Sequence, residues 1–222
     1  MKKLLVIGDS ILKGVYLTED THHFKLYRDR NFPTMEERGI QVKNVSKMGA
    51  CIAYGAGQLD KNMDYLDRSA TVLLSFGGND CGYRWKEISE NPDAEHFCLT
   101  PPEKFIKIFS QCIDKAKEKA GRVVLMNLFP IKASLYIDTI SKGLNRQNIM
   151  RWLGDVETLG RWHEHYNRIV ERLATQKDCI LADIRDAFLK DRRAGEYICS
   201  DGIHPTPAGH GIIHGVIEEA LL

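Results

Sequence analysis

The chain has 222 residues, of which 43% are hydrophobic and 27% are charged, and its formal net charge is +1. This is the composition of an ordinary globular protein, and the length suits a single α/β domain over residues 1–222 with a full hydrophobic core. The sequence has no basic run, so we expect no nucleic-acid partner. No stretch approaches the roughly 20 apolar residues of a membrane-spanning helix.

Five short apolar segments predict the strands of one sheet: 4–7, 40–45, 71–76, 122–128 and 179–184. The first is continuously apolar, which is typical of a strand buried on both faces. Helices are predicted over 33–38, 50–66, 103–120, 156–175 and 207–222, and the two longest internal ones carry apolar residues at helical spacing. Strands that alternate with helices predict a three-layer α/β/α fold with a parallel sheet.

Three longer segments interrupt this alternation. Residues 18–31 are polar and predict a surface loop beside the end of the first strand. Insertions at 81–102 and 131–153 follow the third and fourth strands, and the second is irregular but rich in large apolar residues. Both insertions begin at the carboxyl edge of the sheet, so we expect them to wall a pocket there.

Ser10 stands at the end of the first predicted strand, within Gly8-Asp9-Ser10. Ligands of an open α/β sheet bind at the carboxyl ends of its strands, so this position suits a nucleophile. Considered alone, these three residues more often form an ordinary turn or a helix N-cap. A serine hydroxyl attacks an ester at neutral pH only when a base takes its proton.

Asp201 and His204 provide a candidate base, in the segment SDGIHP at 200–205. Because they are three residues apart, one turn can bring the carboxylate to Nδ1 of the imidazole and leave Nε2 facing outward. A satisfied polar turn is the alternative interpretation of this pair.

Gly49 follows the second predicted strand and Asn79 follows the third. A glycine lets a backbone N–H approach a substrate closely, and an asparagine amide is a neutral donor, as stabilisation of an oxyanion requires. A turn glycine and a structural asparagine are the alternatives. The chemical interpretation is favoured because Ser10 and both donors follow strands that end at the same edge of the sheet.

Four short motifs occur in the order and approximate spacing of the motif blocks of the SGNH (GDSL) hydrolase superfamily, which the chain resembles. They are GDS at 8–10, the glycine that ends NVSKMG at 44–49, GGND at 77–80 and DGIH at 201–204. Ile11 replaces the leucine of the eponymous motif, an apolar exchange. The resemblance implies a flavodoxin-like five-stranded parallel sheet of order 2-1-3-4-5 and the hydrolysis of esters, or of thioesters, without metal or cofactor.

The resemblance also implies a role for each matching residue. Ser10 is expected to be the nucleophile, His204 the base and then the acid, and Asp201 the residue that orients His204. The backbone N–H groups of Ser10 and Gly49 and the side chain of Asn79 are expected to form the oxyanion hole.

Four further residues are expected at the substrate pocket: Asp9, Tyr83, Trp85 and Trp152. The three aromatic rings could stack on a sugar, although core packing or the anchoring of a lid accounts for them at least as well. His210 and His214 stand at i and i+4 with no third ligand at metal-binding spacing, so no metal is expected.

Together, these expectations predict a serine esterase that hydrolyses small acyl esters, such as an acetyl ester of a sugar, through an acyl-enzyme. The first alternative is a thioesterase or lysophospholipase for longer acyl chains, which an apolar tunnel formed by 131–153 would favour. The second is a binding module that has kept the fold and lost the reaction. The sequence does not indicate the oligomeric state.

Two features predict a cytoplasmic protein. The apolar run that ends before Gly8 has only four residues, fewer than the roughly 7–15 of a signal-peptide core. The six cysteines contain no C-x-x-C pair and no dense framework, so reduced thiols are the simplest interpretation.

Overall fold

Five parallel strands form the central sheet of the computed structural model, which describes residues 2–21 and 23–222. The described residues contain seven strands: β1 (Lys3–Gly8), β2 (Val15–Leu17), β3 (Phe24–Leu26), β4 (Gln41–Asn44), β5 (Ala70–Ser75), β6 (Arg122–Met126) and β7 (Ile180–Ala182). The sheet order is β4-β1-β5-β6-β7, whereas β2 and β3 form a separate antiparallel hairpin. Counted along the chain, the strands of the sheet have the order 2-1-3-4-5, and the predicted flavodoxin-like sheet is confirmed.

Strand β1 lies inside the sheet, between β4 and β5, and runs parallel to both. Leu5 and Ile7 belong to the hydrophobic core on one face, and Leu4 and Val6 belong to the core on the other. All four are at most 1% exposed. Because both faces of β1 are covered, its sequence is apolar throughout instead of alternating.

The described residues form nine α-helices: α1 (Pro33–Glu37), α2 (Ile52–Asn62), α3 (Trp85–Glu90), α4 (Pro102–Lys119), α5 (Ala133–Ile140), α6 (Arg146–Leu153), α7 (Thr158–Gln176), α8 (Ile184–Leu189) and α9 (Pro207–Leu221). Apolar residues of α2, α4 and α7 pack in the core on one face of the sheet. Those of α1, α8 and α9 pack on the other face, which completes the predicted three layers. Within the described ranges, none of the helices combines the length and apolarity needed to cross a membrane.

A third, smaller core joins the two insertions. Ile88 of α3, Ile137 of α5 and Ile149 of α6 are at most 2% exposed and belong to one cluster. The prediction that 131–153 is irregular is therefore wrong, since this segment forms α5 and α6. Its large apolar residues are buried against α3, which comes from a distant part of the chain. The local pattern could not reveal these helices for that reason.

Two other expectations about secondary structure are wrong. Residues 18–31 are not entirely loop, because they include β3, whose three exposed residues carry no burial pattern. Helix α8 is absent from the prediction, which assigns residues 179–184 to one strand. That strand ends early, because the Asp183 side chain accepts a hydrogen bond from the N–H of Asp186 and caps α8.

Gly55 and Gly57 provide a matched pair of substitutions in α2. A Cβ atom added at Gly55 would lie 2.5 Å from Cε2 of Phe76, whereas one added at Gly57 would meet no atom within 4 Å. We expect Gly55→Ala to lower the free energy of unfolding by about 1–3 kcal/mol, because a buried ring must move. Gly57→Ala should leave it unchanged or raise it by up to about 1 kcal/mol. Urea unfolding measures both, and equal effects would contradict the packing of α2 on Phe76.

Candidate active site

Ser10, His204 and Asp201 form one chain of hydrogen-bonded side chains at the carboxyl edge of the sheet. Ser10 Oγ lies 2.9 Å from His204 Nε2, and His204 Nδ1 lies 2.6 Å from Asp201 Oδ2. All three residues are at most 7% exposed. They meet because Ser10 is the second residue after the interior strand β1, while the loop before α9 returns over the same edge of the sheet.

The carboxylate of Asp201 is held in its ionised form. Its Oδ1 accepts hydrogen bonds from the N–H groups of Ile203 and His204 at 3.1 and 3.0 Å. Burial acts to raise the pKa of Asp201, but the hydrogen bonds and the charge interaction with His204 outweigh burial and lower this pKa. An ionised carboxylate only accepts hydrogen bonds, so Nδ1 of the neutral imidazole carries the proton. Nε2 then presents its lone pair to the hydroxyl of Ser10.

Helix α5 fixes the loop that carries Asp201. The N–H of Lys132 donates to Gly202 O at 2.8 Å. Gly202 has φ +82°, and a Cβ atom there would lie 2.4 Å from Tyr136 N, so only glycine permits this approach. The second insertion therefore positions the carboxylate, a role that its sequence does not indicate.

The β2–β3 hairpin covers the imidazole ring. Phe24 meets His204 edge to face, with 5.3 Å between the ring centroids, although Phe24 is itself 50% exposed. The N–H of Leu17 donates to Cys199 Sγ at 3.4 Å and links the hairpin to the segment before Asp201. Phe24 lies in the segment predicted to be loop, and no feature of the sequence indicates its contact with the histidine.

Asn79 connects two of the strand ends that the sequence singles out. Its Nδ2 donates to Asp9 Oδ2 and to Ala50 O, each at 3.2 Å. These contacts place Asn79 against the residue before Ser10 and the residue after Gly49. The backbone N–H groups of Ser10 and Gly49 have no acceptor within the part of the chain that the structure describes. Both N–H groups are therefore available to a ligand.

Two buried carboxyl groups, Asp9 and Asp80, hold the segments around Asn79. Asp80 accepts hydrogen bonds from the N–H of Ile52 at 3.0 Å and from the N–H of Gly77 at 3.1 Å. It thereby joins the start of α2 to the loop after β5. Burial raises the pKa of both carboxyl groups, that of Asp9 to about 6. The sequence predicts Asp9 at the pocket but indicates no role for Asp80.

A cavity of about 350 Å³ opens beside Ser10 and His204. Its walls are mostly apolar and come from the carboxyl ends of β5 and β6, from the two insertions and from α7. All four residues predicted at the pocket line this cavity: Asp9, Tyr83, Trp85 and Trp152. Gly49 is exposed and does not line it.

The aromatic residues of the cavity also pack against one another. The ring centroids of Tyr83 and Trp152 are 4.7 Å apart, and those of Tyr83 and Trp85 are 5.6 Å apart. Trp162 of α7 lines the same cavity, with its ring 6.4 Å from that of Tyr83. Tilted and edge-to-face contacts of this kind fix the rings as a group, so they serve both as packing and as a cavity wall.

His210 and His214 lie away from the cavity. His210 Nε2 is 2.9 Å from Val15 O, and the ring of His214 stacks on Phe32 with 4.3 Å between centroids. Burial lowers the pKa of each histidine to about 4. Among residues 2–21 and 23–222, no three His, Cys, Asp or Glu side chains are grouped closely enough to hold a metal ion.

The sequence matches the GDSL-like lipase/acylhydrolase family over residues 6–212. Three solved structures have a similar fold. A lipase/acylhydrolase from Enterococcus faecalis has a TM-score of 0.68 and 16% sequence identity to this chain. LAE5, an alpha/beta hydrolase enzyme from the metagenome of Lake Arreo, Spain, has a TM-score of 0.66 and 19% identity, and Axe2, an acetylxylan esterase from Geobacillus stearothermophilus, has a TM-score of 0.66 and 18% identity. Each of the three similarities covers 99% of this chain and 94% of the other. No curated protein has a sequence that matches this chain.

The substitution Asp9→Asn tests whether the ionised carboxyl group of Asp9, buried beside Asn79, lowers the stability of the fold. The pKa of Asp9 is about 6 in the folded protein, above the value of about 4 in an unfolded chain, so ionised Asp9 destabilises the fold above pH 6. Asparagine is neutral, and we expect Asp9→Asn to raise the free energy of unfolding by roughly 1–3 kcal/mol at about pH 8. The gain should shrink as the pH falls through 6, because the wild-type carboxyl group then binds a proton. Urea unfolding at several pH values measures it, and a gain that does not depend on pH would contradict the raised pKa.

Proposed function

Because the chain belongs to the GDSL-like lipase/acylhydrolase family, it is a carboxylic ester hydrolase, and we propose that Ser10, His204 and Asp201 carry out its reaction. The observation that supports this proposal most directly is the unbroken chain of hydrogen bonds from Ser10 Oγ through the imidazole to Asp201 Oδ2. A nucleophile and its base must lie within hydrogen-bond reach, at about 2.6–3.2 Å between heavy atoms.

In the first half of the proposed reaction, Ser10 Oγ attacks the ester carbonyl while His204 Nε2 takes the hydroxyl proton. Asp201 stabilises the imidazolium that forms and keeps its ring in place. His204 then returns the proton to the oxygen of the leaving alcohol, and the acyl group stays on Ser10. In the second half, water loses a proton to His204 and releases the acid from the acyl-enzyme.

Three donors are proposed to stabilise the negative oxygen that forms in each half: the N–H groups of Ser10 and Gly49 and the side-chain amide of Asn79. The two backbone groups lack acceptors among the described residues, which supports this role. The two hydrogen bonds of Asn79 Nδ2 are 3.2 Å long, beyond the usual 2.9–3.0 Å. A charged oxygen is a stronger acceptor and can draw one of these protons to itself.

For the substrate, we propose an ester of a small acyl group, acetyl above all, with a carbohydrate as the alcohol. An acetyl group fills only a small part of a cavity of about 350 Å³, so the rest would accept the alcohol. Tyr83, Trp85 and Trp152 provide ring faces, and sugars pack their C–H surfaces against such faces in mostly apolar sites.

A second candidate function is hydrolysis of esters or thioesters with longer acyl chains. It is favoured by the apolar side chains that insertion 131–153 and its neighbours contribute to the cavity: Leu128, Phe129, Ile131 and Leu153. A medium-length chain would bury its methylene groups against them, and each would contribute about 0.8 kcal/mol.

We also propose a cytoplasmic location. The six cysteines are free thiols, which suits a reducing compartment.

Asn79→Ala tests the proposed oxyanion donor. We expect kcat to fall by about 10²–10³ with little change in KM, because the lost hydrogen bond is made mainly in the transition state. Steady-state kinetics with p-nitrophenyl acetate measures both constants, and a thermal melt checks that the variant is folded. A kcat within about threefold of the wild-type value would contradict the proposed role of Asn79 as an oxyanion donor.

A series of p-nitrophenyl esters tests the choice of substrate. We expect the highest kcat/KM at two acyl carbons, whereas a maximum at eight carbons or more would support the second candidate. Ser10→Ala should abolish the hydrolysis of every ester in the series, because no other residue is proposed to form the acyl-enzyme. Unchanged hydrolysis by this variant would contradict the role of Ser10.

A further inference from the structure

His163 is a buried histidine that the proposed reaction does not use. It lies in the first half of α7, is 5% exposed, and lines the same cavity as Ser10 and His204. Its Nδ1 is buried without a hydrogen-bond partner among the described residues, so Nε2 is the nitrogen left to meet a group in the cavity. By contrast, both ring nitrogens of His204 are hydrogen bonded. Buried polar groups are nearly always paired, so an unpaired one at a cavity wall points to a ligand.

The imidazole of His163 is neutral over the physiological range of pH. Burial, together with the nearby charge of Arg185, lowers its pKa to about 3. A nitrogen of a neutral imidazole is either a donor or an acceptor, depending on the tautomer, and a hydroxyl group can pair with it in both cases. A carboxylate can only accept and an ammonium group can only donate, so each fits one tautomer alone.

Two other polar groups of the cavity wall also have no hydrogen-bond partner among the described residues. Trp162, the residue before His163, lines the cavity and has its Nε1 buried without a partner. Ser75, at the end of β5, lines the cavity and is 2% exposed, and its hydroxyl has no partner among residues 2–21 and 23–222. A plain alkyl chain in the cavity would leave the Ser75 hydroxyl and the His163 imidazole unpaired and shielded from water, which is costly.

We propose that His163 is a specificity-determining residue, whose imidazole hydrogen-bonds a hydroxyl group on the part of the substrate that enters the cavity. This inference rests on the proposed function, because it concerns an ester whose carbonyl is held at Ser10. The apolar walls take the carbon skeleton, and His163 and Ser75 select for hydroxyl groups on it. Sites that combine a mostly apolar lining with a few convergent polar groups bind small molecules in this way.

The test compares pairs of esters that differ by one hydroxyl group. In the acyl arm, p-nitrophenyl butyrate is compared with p-nitrophenyl 3-hydroxybutyrate. In the alcohol arm, cyclohexyl acetate is compared with the monoacetates of the cyclohexanediols. We expect wild-type kcat/KM to favour a hydroxylated ester by about tenfold or more in one arm, which also shows which side of the ester enters the cavity.

The substitution His163→Phe keeps a ring of similar shape and removes both nitrogens. It should reduce the preference for the hydroxylated ester to less than about twofold while hydrolysis of the plain ester persists. His163→Gln keeps a donor and an acceptor and should retain part of the preference. The control is Arg172→Gln, on the exposed side of the same helix, which should leave the preference unchanged.

Several results would overturn the inference: no wild-type preference in either arm, a preference that survives His163→Phe, or a folded His163→Phe protein that hydrolyses no ester. Binding of the same ester pairs to Ser10→Ala, followed by tryptophan fluorescence, gives the preference without turnover. The role of His163 is therefore tested even if Ser10 is not the nucleophile. If His163→Phe fails to fold, the test uses the preference of His163→Gln for the hydroxylated over the plain ester. A preference equal to that of the wild type would contradict the proposed role of His163.

Discussion

The rest of the site depends on the hydrogen bond between the ionised carboxylate of Asp201 and the imidazole of His204. Asp201 uses Oδ1 to accept two N–H groups of its own loop and keeps Oδ2 for Nδ1 of His204. This arrangement fixes the tautomer of the ring, so that Nε2 faces Ser10. The surrounding elements hold the pair in place: α5 binds the loop through Gly202, and the β2–β3 hairpin covers the ring. Insertion 131–153 and the hairpin therefore hold this pair in place, and the insertion also forms part of the cavity wall.

The segments around Asn79 are held in place at a cost to stability. Asp9 and Asp80 are both buried, and burial raises the pKa of each, so keeping either of them ionised opposes folding. In return, these carboxyl groups join β1, α2 and the loop after β5 at fixed distances. A carboxylate that accepts several backbone N–H groups does this more rigidly than apolar packing would, because each hydrogen bond has a direction. Such exchange of stability for geometry is typical of catalytic sites.

The sheet, and the meeting of Ser10, His204 and Asp201 at its carboxyl edge, could be predicted from the sequence for definite physical reasons. Strands buried on both faces are continuously apolar, and parallel strands end at one edge, so polar motifs that follow them must lie near one another. The helices of 131–153 could not be predicted, because their apolar faces are buried against α3 from another part of the chain. The contacts of Phe24, Asp80 and His163 could not be predicted for the same reason. Each of them depends on tertiary packing, and no local sequence pattern indicates it.

The most direct test of the account is the rate at which a fluorophosphonate forms a covalent bond with the protein. This reagent reports activation of the serine itself and requires no knowledge of the natural substrate. Intact-mass and peptide analysis should locate one adduct on Ser10, and His204→Gln should slow its formation by at least about a hundredfold, because the base is lost. An adduct on another residue, or an equal rate in the two proteins, would contradict the claim that His204 activates Ser10.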